Sequence, residues 1–309
     1  MGVRVDEEAG WSGGCGVWGR AGVVGGTVAA AAVMAHFITR ARPLGHAPGS
    51  ALGTLIDDVR FRADDGVTLH GWLFGHPAPR GAIALGHGFG MTRVDLVDLA
   101  RSAARAGYAV LLFDFRAHGG SEGRRSSIGY HEARDVVAAA RYLRRRPELA
   151  GCGIGALGMS MGAAATVIAA ARGAGDRGAV VADSGFTSLE SIVVGGLRVL
   201  YRLPAFPFAP LIVRFGELLL GARIREMRPI DHIGRIAPRP LLIVHGERDR
   251  LIPVAEGHAL FAAAGESAEL WVVPEVGHAR AAGKVAEEYV RRVDAFFGAA
   301  LGGGGGHRD

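Results

Sequence analysis

From residue 82 onward the chain returns repeatedly to short, wholly apolar runs: Ala82–Leu85, Ala109–Phe113, Ile154–Leu157, Ala179–Ala182, Leu241–Val244 and Leu270–Val273. Runs of this length, without polar alternation, suit strands buried on both faces. Helical patterns separate most of them, over Val94–Ala106, Tyr130–Arg145, Met161–Ala171, Ala255–Ala264 and Val285–Phe297. Ahead of the series, Val59–Arg62 and Val67–Phe74 flank the turn residues Asp64-Asp65-Gly66 and read as a hairpin. Strand–helix alternation predicts an α/β fold with a mostly parallel central sheet and helices on both faces. One stretch breaks the rhythm. Leu189–Met227 is long, largely apolar and carries Pro204, Pro207 and Pro210. It predicts a small helical cap, inserted over residues 187–236 into a domain spanning 55–300.

The first 54 residues differ in kind. Residues 1–20 are Gly-rich and predict a flexible start, and residues 301–309 predict a disordered tail. Between Arg20 and Arg40, the segment Ala21–Ile38 holds no Asp, Glu, Lys or Arg. Its eighteen residues sit at the short end of a bilayer span, and its Ala, Gly and Val content is weak for that role. Three readings compete: a single-pass membrane anchor, a secretory signal, and a helix lying against the domain. The expectation is an anchor or uncleaved signal, hence membrane association, with a cytoplasmic protein as the alternative.

The formal charge is +5, but of 35 basic residues only Lys284 is a lysine. Such arginine bias reads as a compositional habit rather than a binding code. The densest cluster, Arg144-Arg145-Arg146, closes a predicted helix, where cations complement the dipole. No aromatic interleaving accompanies it, so no nucleic-acid partner is expected. Cys15 and Cys152 show neither a disulfide framework nor metal-ligand spacing.

The strongest chemical signal is Gly158-Met159-Ser160-Met161-Gly162, where the run Ile154–Leu157 meets the small-residue helix Met161–Ala171. A serine between strand and helix in this pattern is held on a tight, strained turn, and the glycines two before and two after avoid collisions. A hydroxyl is a weak nucleophile and needs a base. Of twelve histidines, His278 lies in the loop leaving the last strand, whereas His87 and His245 read as structural and His131 and His258 fall on helical faces. The base in turn needs an acid to hold its tautomer. Asp249, in the loop after Leu241–Val244, is favoured over Glu247 and Asp183. A tetrahedral intermediate needs two aimed N–H donors. The amide of Met161 supplies one and that of Phe89, within Gly86-His87-Gly88-Phe89-Gly90, the other.

From about residue 55 to 300 the chain resembles an α/β-hydrolase fold serine hydrolase of the domain-containing esterase type. The motifs that carry the resemblance are His87-Gly88-Phe89-Gly90, Asp114–Ser121, Gly158–Gly162, His245–Asp249 and Gly277-His278, in this order. The N-terminal apolar segment, the Asp65-Gly66 hairpin and Pro253 also resemble membrane-anchored members of that group. Ala117 departs from the pattern, which usually has glycine there. The resemblance implies the catalytic set Ser160, Asp249 and His278, an oxyanion hole from Phe89 and Met161, and structural roles for Asp114, Arg116 and His118 around the substrate entrance.

These readings predict hydrolysis of a carboxylic ester or thioester through an acyl-enzyme on Ser160, without metal or organic cofactor. A serine nucleophile argues against dehalogenation, and no fused propeller domain is expected. Apolar cap residues from Ile192 to Leu220 could line an acyl pocket or simply pack the cap. The alternatives are an amide- or peptide-cleaving hydrolase and a catalytically silent binding module.

Overall fold

The computed structural model describes residues 14–41, 56–173 and 178–301. The flexible start expected over 1–13 and the tail over 302–309 lie outside the described residues. Eight strands form one sheet in the order β1-β2-β4-β3-β5-β6-β7-β8. They are β1 (Ile56–Arg62), β2 (Thr68–Phe74), β3 (Ala82–Gly86), β4 (Ala109–Phe113), β5 (Ile154–Met159), β6 (Val180–Asp183), β7 (Leu241–Gly246) and β8 (Ala268–Val273). The helices are α1 (Gly14–Thr39), α2 (Val97–Arg105), α3 (Glu132–Arg144), α4 (Met161–Ala171), α5 (Leu189–Gly196), α6 (Phe208–Leu220), α7 (Val254–Ala264), α8 (Ala281–Lys284) and α9 (Ala286–Leu301).

The hairpin β1/β2 runs antiparallel, with Val59 opposite Gly71 and Phe61 opposite Leu69, and β2 joins β4 antiparallel. All remaining pairs, from β4–β3 to β7–β8, are parallel. Alternation along β4 shows how the sheet separates two cores. Ala109, Leu111 and Phe113 pack with α3 and α4, whereas Val110 and Leu112 pack with Trp72, Tyr108 and Phe297 on the face covered by α2 and α9. In α9 the buried side chains Tyr289, Val293, Phe297 and Leu301 recur every fourth residue, the spacing of one helical face. Leu301, expected in the tail, is therefore a core residue, the last among the described residues.

Chain order and sheet order part company at β3. The chain passes from β3 to β4 on one side, then returns to β5 on the other. Open α/β sheets bind ligands outside the carboxyl ends of the strands at such a switch point. The loops after β3 and β5 carry Phe89 and Ser160.

The stretch between β6 and β7 is helical. It holds α5, a wider, under-wound π-helical continuation at Leu197–Tyr201 that ends at Arg202 in the left-handed region (φ 54°), and α6, which Gly221 closes at φ 63°.

The N-terminal segment corrects the expectation of a membrane-spanning anchor. Residues 14–20, expected to be irregular, are the first turns of α1. Along this helix Ala31 and Ala35 are fully buried in the same core cluster as Ala209 and Ile212 of α6, with Met34 and Ile38 packed beside them. The spacing 31, 34, 35, 38 is one helical stripe, and alanine lets two helix backbones approach closely. Ala-richness, weak for a lipid span, suits this contact. Among the described residues no helix is both long and apolar enough to cross a membrane. The third reading, a helix lying against the domain, is the one observed.

Candidate active site

Ser160 sits between β5 and α4 with φ 53° and ψ −113°, a backbone conformation that an L-residue adopts only under strain. Its surroundings explain the flanking glycines. A Cβ on Gly158 would collide with the Gly162 carbonyl, and one on Gly162 would lie 2.6 Å from the Gly86 carbonyl oxygen. The turn is pinned by the Ser160 amide donating to Asp183 O at 2.8 Å.

His278 lies in the loop after β8 and brings Nε2 to 2.9 Å from Ser160 Oγ. Its Nδ1 is 2.7 Å from Asp249 Oδ2. Asp249, buried in the loop after β7, accepts from the Leu251 and Ile252 amides through Oδ1 at 2.9 and 2.8 Å. One carboxylate oxygen is thus held by the backbone while the other faces the imidazole. The two loops are knitted together: Glu247 N donates to Val273 O and Arg248 N to Val276 O. A side chain on Gly246 would strike the Val276 carbonyl, so close approach of these loops needs glycine there. Hydroxyl, imidazole and carboxylate form one hydrogen-bonded row, able in principle to pass a proton from oxygen to nitrogen.

The competing acids go elsewhere. Glu247 accepts from the Glu275 amide. Asp183 is fully buried and accepts from Ser184 Oγ at 2.8 Å and Tyr289 Oη at 3.0 Å, and burial pushes its carboxyl pKa up. Burial, with Asp183 beside it, also drives the Tyr289 phenol upward. Ser184 Oγ in turn accepts from the amide of Ala279, the residue after His278, at 3.0 Å. A buried row Tyr289–Asp183–Ser184 thus braces the loop that carries the imidazole. The sequence reading weighed Asp183 only as a rival acid and missed Tyr289 and Ser184. No local spacing links residues 183, 184 and 289.

Phe89 and Met161 border the same cavity as Ser160 and His278. Met161 opens α4, where an N–H has no acceptor within the helix. His87 is fully buried, accepts from Phe115 N at 3.1 Å and lies with Nδ1 2.7 Å from Gly88 O. Burial lowers its pKa to about 3. It is a neutral brace under the Phe89 loop. His245 is likewise buried, with Nε2 2.9 Å from Ile252 O.

Asp114, Arg116 and His118 do not border the cavity themselves; His118 meets its edge through the loop that does, Nε2 accepting from Gly90 N at 3.4 Å and the ring lying 5.9 Å from that of Phe89. Asp114 pairs with the wholly buried Arg93 and accepts from the amides of Arg93 and Gly120. Arg116 bridges Asp135 and Asp65 at 2.6 and 2.7 Å, tying α3 to the hairpin turn. The Arg116 and Arg134 guanidiniums beside Asp65 hold its carboxyl down to about 2, against the opposing effect of burial. Ala117 takes φ 61°, the left-handed geometry for which glycine is usual.

The cavity measures about 460 Å³, within the roughly 300–1,000 Å³ of small-molecule pockets. From the helical insertion Ile192, Val193, Leu200, Tyr201 and Ile212 border it. Phe206, Phe208, Leu211, Phe215, Leu218 and Leu220, for which lining and packing were both open, do not, and Phe206 is 80% exposed. Sequence reasoning did not find Met34, Ile38, Ile128, Phe186 and Leu251, which complete the lining from remote segments.

Residues 98–304 match the prolyl oligopeptidase family. The chain belongs to that family. Relatives found by sequence include the uncharacterised protein YqkD of Bacillus subtilis, 30% identical with 72% of each chain covered. A monoacylglycerol lipase of Mycolicibacterium smegmatis is 28% identical, over 65% of this chain and 81% of the lipase. Among solved structures, the Pf2001 esterase of Pyrococcus furiosus superposes with a TM-score of 0.72 at 27% identity, covering 86% of this chain and 98% of the esterase. Family, sheet order and neighbours make the chain an α/β hydrolase, as the motif resemblance implied.

Proposed function

We propose that the protein is a serine hydrolase that cleaves carboxylic esters or thioesters of apolar acyl groups. The observation that carries the reading is the row Ser160–His278–Asp249, with contacts of 2.9 and 2.7 Å, at the floor of a largely apolar cavity. Ser160 Oγ attacks the acyl carbonyl as His278 Nε2 takes its proton, and Asp249 stabilises the imidazolium. The Phe89 and Met161 amides receive the negative charge that develops on the carbonyl oxygen. His278 then returns the proton to the leaving alcohol or thiol. Water activated by the same imidazole releases the acid and regenerates the serine. The esterase neighbour and the monoacylglycerol lipase support an ester substrate.

Membership of the prolyl oligopeptidase family favours a second reading, cleavage of amides by the same residues. Parallel p-nitrophenyl ester and p-nitroanilide series, with Ser160→Ala alongside, separate the two. Ester turnover that falls by a factor on the order of 10³ or more in the variant is expected. Anilide turnover exceeding that of esters replaces the ester reading with the amide one. A folded protein inert to both series, and unlabelled by a fluorophosphonate, is a binding module instead.

A further inference from the structure

We infer that α1 is a wall of the acyl site and that Met34 and Ile38 set the length of acyl chain accepted. The inference deepens the ester reading and rests on it. Four residues form the inward stripe of α1, and they divide by size. Ala31 and Ala35 are 0% and 1% exposed and let α1 lie close on α6. Met34 and Ile38 are only partly buried because their larger side chains border the cavity that holds Ser160 and His278. Small residues at two positions seat the helix, and large ones at the other two fill space that a substrate would share.

The wall is fastened at the end nearest the chemistry. Arg40 forms a β-bridge with Arg125, Thr39 O accepts from Ser126 N at 2.8 Å, and Ala41 N donates to Arg124 O at 3.1 Å. Arg125 Nη1 donates to the buried Thr39 Oγ1 at 2.9 Å. The strip that receives these bonds is fixed by buried Glu132. Its carboxylate accepts from Ser126 Oγ, Ser127 Oγ and the amides of Ser127 and Gly129 at 2.6–2.9 Å. These bonds to the charged form draw the Glu132 pKa down against burial. Ser126 Oγ also reaches Met161 Sδ at 3.7 Å, on the residue next to Ser160. A helix clamped in this way has a defined distance to the nucleophile. The side chains at 34 and 38 therefore act as a fixed gauge for what extends from the acyl carbonyl into the cavity they border.

The test uses the full chain and two readouts: kcat/KM on p-nitrophenyl esters of increasing acyl length, and the rate of Ser160 labelling by alkyl fluorophosphonates of increasing length. Ile38→Trp and Met34→Trp are expected to move both optima to shorter chains. Ile38→Ala and Met34→Ala are expected to move them to longer ones. Each methylene of burial gained or lost should change the ratio between neighbouring chain lengths about fourfold. Val33→Ala, on the exposed face of the same helix, should keep the wild-type profile. Because the two substitutions push in opposite directions, a variant that fails to fold still leaves its counterpart to decide. Length profiles that coincide with wild type, or variants that slow every chain length by one common factor, overturn the inference. A wild type that labels with a length optimum yet hydrolyses no ester rejects the ester reading and leaves the gauge standing.

Discussion

The base of the molecule and its cover are built on different terms. In the base, β3, β4 and β7 are buried along their whole length, and Ser160, Asp249 and His278 each stand in a loop at a strand's carboxyl end. Those loops are held by backbone bonds and by buried polar rows such as Tyr289–Asp183–Ser184. The cover, made of α1 and the helices between β6 and β7, keeps large apolar side chains in contact with solvent. Phe37, Leu200, Tyr201 and Leu218 are all more than half exposed. Proton transfer needs atoms fixed to fractions of an ångström, and only the close-packed base supplies that. An apolar chain needs surface rather than direction, and the cover offers it from two segments far apart in sequence. On this division, changes in the base alter turnover or stability for every substrate, and changes in the cover alter which substrate is preferred.

Asp249→Asn gives the sharpest contrast. The amide keeps the shape but cannot hold the imidazole in its reactive tautomer, so kcat should fall by roughly 10⁴ on short and long esters alike. A loss confined to long acyl chains would break the division. Tyr289→Phe strips one donor from buried Asp183, and a buried polar group left short of a partner costs about 1–3 kcal/mol. Urea titration should show that loss, together with lower kcat through the Ala279 amide. Undiminished stability and turnover would mean that the row behind His278 is passive.

His87 ties the base to pH. It is neutral in the fold with a pKa near 3, whereas an unfolded histidine takes up its proton near 6.5. Between these values the unfolded chain binds more protons. Its contribution is therefore complete above pH 6.5 and is lost as pH falls toward 3, by up to about 1.4 kcal/mol per pH unit. In His87→Gln the fall in unfolding free energy between pH 6 and 4 should be shallower by a comparable slope. An unchanged slope would remove His87 as its source. The smallest effect belongs to the cover. Leu200→Ser, at a side chain two-thirds exposed, should change stability by no more than about 0.5 kcal/mol while raising KM for long acyl esters. A shift in kcat on short esters would count against a cover that acts on selection alone.

The strands of the base and the elbow at Ser160 were legible because their causes are local. Alternation of apolar runs with helical periods depends on burial face by face, and the glycines at 158 and 162 answer a collision within one turn. The same holds for His278 and Asp249, each placed by the strand just before it. Other features had no local cause. Nothing in Ala21–Ile38 says whether its partner is lipid or protein, because the answer lies in α6, more than 160 residues further on. Nothing near Asp183 announces Tyr289, and no local signal places Met34, Ile38, Ile128, Phe186 and Leu251 in the cavity wall. Sequence by itself determined the sheet, the turn and the positions of the candidate groups Ser160, Asp249 and His278, since short-range sterics and hydrophobic period decide them. The tertiary structure alone decided which apolar surface closes over those groups, because apolar contact is non-directional and only the assembled chain selects its partner.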